Sequence, residues 1–218
     1  MSVFEAIARY GVVPVISIED AKDALPLADT LMDAGLPVAE ITLRTEAAVD
    51  AIAEISENRP AMLVGAGTVL NEKQLQLAHS AGAKFALSPG IDVAVLSLAK
   101  RIGIPFAPGV MTPTDVQIAT RAGCDLVKFF PATAAGGLPM LKSIAEPFRH
   151  TGLRFNPTGG ITQNTMTDWL SYSPVMAVGG SWIVKKQDVS LGNWEAIYDQ
   201  AKAARKMAEA IDADGALC

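Results

Sequence analysis

Histidine and cysteine are scarce in this chain, with two of each among 218 residues. His79 and His150 are isolated and complete no HxH or HExxH pattern, so a histidine-built metal centre is disfavoured and no metal is expected. Cys124 and Cys218 form neither a metal-binding set nor a CxxC pair, and they read as reduced thiols of a cytoplasmic protein. Positive charge is also in short supply. Eighteen Lys and Arg against 23 Asp and Glu leave a net charge of −5 and a pI near 5.0. That balance is a poor match for a nucleic-acid backbone, although it leaves local anion sites open. No apolar run approaches the ~20 residues of a membrane helix, and the N-terminus lacks the basic-then-apolar layout of a signal peptide, so neither membrane nor export is expected. There is no GxxxxGK[ST] loop and no GxSxG elbow, and Gly65-Ala66-Gly67 is only a fragment of a dinucleotide fingerprint.

What is present is apolar material in short runs. The chain is 50% hydrophobic and 19% charged, enough for a single core of barrel size. Runs at 12–18, 38–44, 61–69, 84–89, 106–110, 126–131, 154–160 and 175–182 are β-branched or aromatic and bounded by Gly or Pro, so they read as strands. Amphipathic stretches at 21–34, 45–58, 72–81, 114–122 and 162–170 read as helices, with cap residues before them and Gly35, Gly82 and Gly123 after three of them. Further helices are expected at 3–10 and 194–211. Eight strands alternating with helices imply a parallel sheet, and at this length they predict a (β/α)8 TIM barrel with an extra N-terminal helix. No linker or break in composition divides the chain, so residues 1–218 read as one domain. A doubly wound open sheet is the main alternative, but the first strand ends in Ile18-Glu19-Asp20, without the glycines of a nucleotide loop.

Lys128 lies inside the apolar strand Leu126-Val127-Lys128-Phe129-Phe130. An ammonium taken out of water costs several kcal/mol unless paired, and burial favours the neutral, nucleophilic amine that attacks carbonyl substrates. The bland alternative is a lysine neutralised by a core carboxylate. Glu40 sits in the equally apolar Val38-Ala39-Glu40-Ile41, with Thr42 and Arg44 at two-residue spacing on the same strand face. Two inward charges of opposite sign beside an arginine look more like a site than a core accident. Arg44 suits a carboxylate clamp. Paired glycines end the seventh and eighth predicted strands, at Gly159-Gly160 and Gly179-Gly180 before Ser181, and bare backbone there suits a phosphate.

Several stretches carry a resemblance. VVPVISI at 12–18, AEITLRTEAAVDAI at 39–52, VGAGTVL at 64–70, ALSPG at 86–90, VKFFPA at 127–132, PTGGI at 157–161 and VGGSW at 178–182 together resemble the 2-keto-3-deoxy-6-phosphogluconate (KDPG) aldolases, also called bifunctional KHG/KDPG aldolases. The resemblance implies a trimeric barrel with metal-free, cofactor-free class I aldolase chemistry on a 2-keto acid and a phosphorylated aldehyde. It implies Lys128 as the Schiff-base lysine and Glu40 as the general acid/base. It further implies Arg44, Thr68 and Pro89 at the substrate carboxylate, Gly159, Gly160, Gly180 and Ser181 at the phosphate, and Thr158 and Phe130 lining the substrate. Two stretches depart from the usual pattern, Ala132-Thr133-Ala134-Ala135 and Val110-Met111-Thr112, and both bear on substrate preference. The rival readings are an aldolase for the galactonate epimer and a non-catalytic phosphosugar-binding barrel, which would need the glycines but neither Lys128 nor Glu40.

Overall fold

Ser2 starts the first helix. Its hydroxyl accepts from Glu5 N–H while the Glu5 carboxylate accepts from Ser2 N–H, a reciprocal cap that satisfies two donors a helix start leaves unpaired. In the computed structural model, which describes residues 1–213, the chain then runs α1 (Val3–Ala8), β1 (Val12–Ile16), α2 (Ala24–Asp33), β2 (Val38–Thr42), α3 (Ala48–Asn58), β3 (Leu63–Gly67), α4 (Glu72–Ser80), β4 (Ala86–Leu87), α5 (Val93–Ile102), β5 (Phe106–Ala107), β6 (Gly109–Val110), α6 (Pro113–Ala122), β7 (Leu126–Phe129), α7 (Gly137–Ala145), β8 (Arg154–Phe155), α8 (Met166–Leu170), β9 (Val178–Gly180), α9 (Lys186–Ser190) and α10 (Trp194–Ala213). Cys218, read above as a reduced thiol, lies outside the described residues.

The strands pair in parallel throughout, as βα alternation requires. They do not close into the expected eight-stranded TIM barrel. Instead they form a curled six-stranded sheet in the order β5-β4-β3-β2-β1-β9 and a separate three-stranded sheet in the order β6-β7-β8. Isolated bridges, Phe155 to Val175 and Thr158 to Gly179, rather than a continuous ladder, join the second sheet to the chain around β9. Proline is the physical reason. Pro108 splits the predicted fifth strand into β5 and β6, and Pro89, Pro105, Pro131 and Pro157 flank β4, β5, β7 and β8 without an N–H to give a ladder. Four of the strands are consequently only two residues long.

Three helices escaped the sequence reading: α5, α7 and the five-residue α9. In α5 the run Val93-Ala94-Val95-Leu96 is apolar without a clear period, yet the Asp92 carboxylate accepts from Ala94 and Val95 N–H and Gly103 closes the helix in the left-handed region. In α7 the signals Gly136-Gly137 and Pro139 read as breakers, but proline is tolerated in a first turn, where its missing N–H had no partner anyway. Conversely, the helix expected at 162–170 is confined to Met166–Leu170. The apolar side chains, from Ile7 to Ala208, form one contiguous cluster. α10 lies against α2, α8 and β1.

Candidate active site

β2 and β7 each carry one charge into this apolar cluster. Lys128 Nζ donates to Glu40 Oε1 at 2.7 Å. Glu40 is fully buried and Lys128 only 5% exposed. The Lys128 ammonium also lies 5.8 Å from the centroid of the Phe130 ring. Each ion costs several kcal/mol to desolvate, and an apolar pair of similar size would usually serve stability as well or better. A structural role alone is therefore a weak account of the pair. The second carboxylate oxygen, Glu40 Oε2, is buried with no hydrogen-bond partner among the described residues, which is costly in a resting protein and useful where a reacting hydroxyl is to be received.

Glu40 reaches this place because β3 is bare beside it. A Cβ on Gly67 would lie 2.0 Å from Glu40 Oε1 and 2.7 Å from its Cδ. Gly65 makes similar room for the Phe85 ring, 2.4 Å from its hypothetical Cβ. The sequence reading named these glycines but gave them no role; the signal was their two-residue spacing opposite Glu40 and Thr42, with which they pair in register. Thr42, buried beside Glu40 in β2, is held by hydrogen bonds to Ile16 O at 2.8 Å and with Ser17 Oγ at 3.0 Å.

The other expected residues fall around this pair unevenly. β2 ends at Thr42, so Arg44 leaves the strand face and lies exposed in the turn, its N–H donating to Thr42 O at 2.8 Å. Thr68 follows Gly67 at φ 59, the one positive φ of a non-glycine among the described residues. That conformation costs about 1–3 kcal/mol and clusters at ligand-binding turns. Pro89, half-buried, follows β4, and a Cβ on Gly109 would lie 2.2 Å from its carbonyl oxygen. Pro89, Phe130 and Met111 line one cavity of about 270 Å³. Thr158 is buried, and its N–H donates to Phe129 O at 3.0 Å, tying it to the lysine strand. Gly159 and Gly160 turn at φ 102 and 77, conformations open to glycine, and Gly160 packs against Thr133. Gly180 is buried against Trp182, while Ser181 is exposed. The helices that follow, α8 and α9, have five residues each, so a phosphate here would rest on turn backbone rather than on a long helix dipole.

A larger cavity of about 610 Å³ lies away from this chemistry, between α1, α5 and the chain entering β7 and β8. Cys124 lines it, and burial with the nearby Asp125 charge pushes its thiol up to about 11. His79 and His150 are both exposed. Among the described residues no group of three or more His, Cys, Asp or Glu is placed to hold a metal ion, and no helix is long and apolar enough to cross a membrane.

Known proteins resemble this chain in sequence and fold. The sequence profile described as KDPG and KHG aldolase matches residues 3–200. The 2-dehydro-3-deoxy-phosphogluconate aldolase of Haemophilus influenzae is 44% identical over 195 residues, 89% of this chain and 91% of its own. The KDPG aldolase of Legionella pneumophila, solved with pyruvate captured as a covalent carbinolamine intermediate, superposes with a TM-score of 0.89 at 39% identity, covering 94% of this chain and 98% of its own. The 2-keto-3-deoxy-6-phosphogluconate aldolase of Zymomonas mobilis, solved with 3-phosphoglycerate, gives a TM-score of 0.84 at 42% identity over 92% and 94% of the two chains. With a profile match across nearly its whole length and relatives of this similarity, the chain belongs to the KDPG and KHG aldolase family.

Proposed function

We propose that this protein is a class I aldolase that cleaves 2-dehydro-3-deoxy-6-phosphogluconate to pyruvate and glyceraldehyde 3-phosphate. The observation that carries the reading is the buried 2.7 Å pair of Lys128 and Glu40. One proton moved along that hydrogen bond gives a neutral amine and a neutral carboxylic acid, with no charge entering or leaving the apolar interior. Neutral Lys128 attacks the C2 ketone, forming a C–N bond. The carbinolamine hydroxyl leaves as water, taking the Glu40 proton, and a protonated imine remains. The Glu40 carboxylate then accepts the proton of the C4 hydroxyl. The C3–C4 bond breaks, its electron pair passes into the imine to give an enamine, and C4 departs as the aldehyde carbon. Glu40 returns its proton to C3, and water hydrolyses the imine to pyruvate and free Lys128.

The remaining roles belong to the same proposal. Arg44 and Thr68 hold the substrate carboxylate, with Pro89 closing that end. Gly159, Gly160, Gly180 and Ser181 hold the phosphate, and Thr158 and Phe130 line the chain between. The strained positive φ of Thr68 supports that turn as ligand-facing, and the backbone of Gly159 and Gly160, bare of side chains, supports close approach by an anion. The reaction needs no cofactor. Cleavage of 4-hydroxy-2-oxoglutarate to pyruvate and glyoxylate follows from the same chemistry, because only the aldehyde half changes. Family resemblance supports a cytoplasmic homotrimer, which sedimentation velocity tests. Borohydride trapping with pyruvate, followed by peptide mapping, tests the central claim. A pyruvyl adduct on Lys128 is expected, and its absence in folded protein would overturn the scheme.

A further inference from the structure

Asn156 is a buried polar residue, 2% exposed, that the scheme above does not use. Leu126 pairs with Arg154 and Val127 with Phe155, and Asn156 N–H donates to Val127 O at 2.8 Å, which sets Asn156 beside Lys128 in the same sheet. Its amide is fixed at both ends. Nδ2 donates to Ala177 O at 2.8 Å, and Oδ1 accepts from Thr158 Oγ1 at 3.2 Å. The same hydroxyl reaches Asn156 O only at 3.5 Å. With its NH₂ turned to a carbonyl, the amide offers Thr158 an acceptor and nothing else. The single Thr158 hydroxyl proton is thereby committed, and what that oxygen can still offer is lone pairs. Thr158 cannot easily swing away. Its N–H and C=O are bonded to Phe129 O and Ala132 N at 3.0 and 2.8 Å. A Cβ on neighbouring Gly179 would lie 2.2 Å from Thr158 Oγ1, so only glycine leaves the hydroxyl this position.

We propose that Asn156 is a specificity-determining positioning residue. It holds the Thr158 hydroxyl as a hydrogen-bond acceptor, so the site favours 2-keto acids whose aldehyde half carries a hydroxyl donor, and disfavours analogues with hydrogen or a carbonyl there. The inference rests on the aldolase reading, which places Thr158 beside that half of the substrate. A buried acceptor left unpaired by the wrong substrate is the source of the discrimination.

Two half-reactions separate this role from a merely structural one. Exchange of pyruvate methyl protons with D₂O calls on Lys128 and Glu40, whereas cleavage also engages the aldehyde half. Both rates are measured per site trapped by pyruvate and borohydride, in the unaltered enzyme, in Asn156→Leu, which removes the acceptor, and in Asn156→Asp, which keeps one. Asn156→Leu is expected to lower kcat/KM for cleavage roughly tenfold more than exchange. Asn156→Asp is expected to keep the ratio within about threefold of the unaltered enzyme, and Asn156→Leu added to Thr158→Val to change it by less than about twofold. If Asn156→Leu does not accumulate folded, Asn156→Ala takes its place. Equal loss of both rates, an Asn156→Asp loss as large as that of Asn156→Leu, or full additivity with Thr158→Val would overturn the proposal. An unaltered enzyme that neither exchanges nor traps pyruvate would overturn the aldolase reading itself.

Discussion

At the scale of residues, the site depends on three positions that fail in different ways. Lys128→Ala removes the only amine in the pair, and mass analysis after borohydride treatment with pyruvate should find no adduct and no measurable cleavage. Glu40→Gln keeps shape and burial but cannot carry the proton, so cleavage should slow by roughly 10²–10⁴ while the pyruvate adduct still forms. Gly67→Ala is the least obvious. Its methyl would occupy the space of the Glu40 carboxylate, and a displacement of about 1 Å at a reacting group costs roughly 10² in rate. A steady-state assay should show that loss in kcat. Cys124 offers a contrast. With a thiol pushed up to about 11 by burial and Asp125, only about one molecule in a thousand carries the thiolate at pH 8, so alkylation by iodoacetamide should be slow until strongly alkaline pH.

At the scale of elements, α6 shows how short strands are stabilised by the helices that follow them. Thr112 Oγ1 accepts from Asp115 N–H at 3.3 Å, and the Asp115 carboxylate accepts from Met111 and Thr112 N–H at 3.0 and 2.9 Å. This cap fixes the turn after β6 that borders the cavity holding Phe130 and Pro89. Thr112→Ala should cost about 1 kcal/mol in urea unfolding. Partial burial pushes the Asp115 carboxyl up, but the hydrogen bonds to Met111 and Thr112 outweigh it and hold the group below the usual aspartate value. A depressed carboxyl stabilises the fold above its unfolded value and loses that contribution as pH falls through its folded one. Asp115→Asn should therefore flatten the acid limb of a stability-against-pH curve below about pH 4. Cap residues ahead of the helical stretches are legible in the sequence because capping chemistry is local, but the role of Thr112 emerges only with the helix start at Pro113. Helices α5 and α7 were missed because Val93–Leu96 has no clear period and Gly136, Gly137 and Pro139 imitate a loop.

At the scale of the whole molecule, the curled sheet and its helices share one apolar cluster, so a change far from the chemistry registers in stability. Ile197 in α10 is fully buried, and Ile197→Ala should cost about 2–5 kcal/mol through the cavity it leaves. Activity per folded molecule, counted by pyruvate trapping, should stay close to normal. The net charge of −5 acts at this scale too, since it disfavours polyanion binding without preventing glycine backbone from cradling one phosphate.

The sequence by itself determined the parallel βα alternation, the placing of charge at Glu40 and Lys128, and the bare backbone of the glycine pairs at 159–160 and 179–180. Periodicity, cap residues and an ionisable side chain in an apolar run are local signals, and they survive folding. Tertiary structure decided the rest. Pairing a residue with one 88 positions away depends on sheet order, which no local pattern encodes. Whether the strands close depends on which prolines fall where a neighbouring strand asks for an N–H, and here they leave two sheets rather than a closed barrel. The use of Gly67 and Gly179 as empty space, and of Asn156 as a fixed acceptor, exists only once Glu40 and Thr158 have been brought against them.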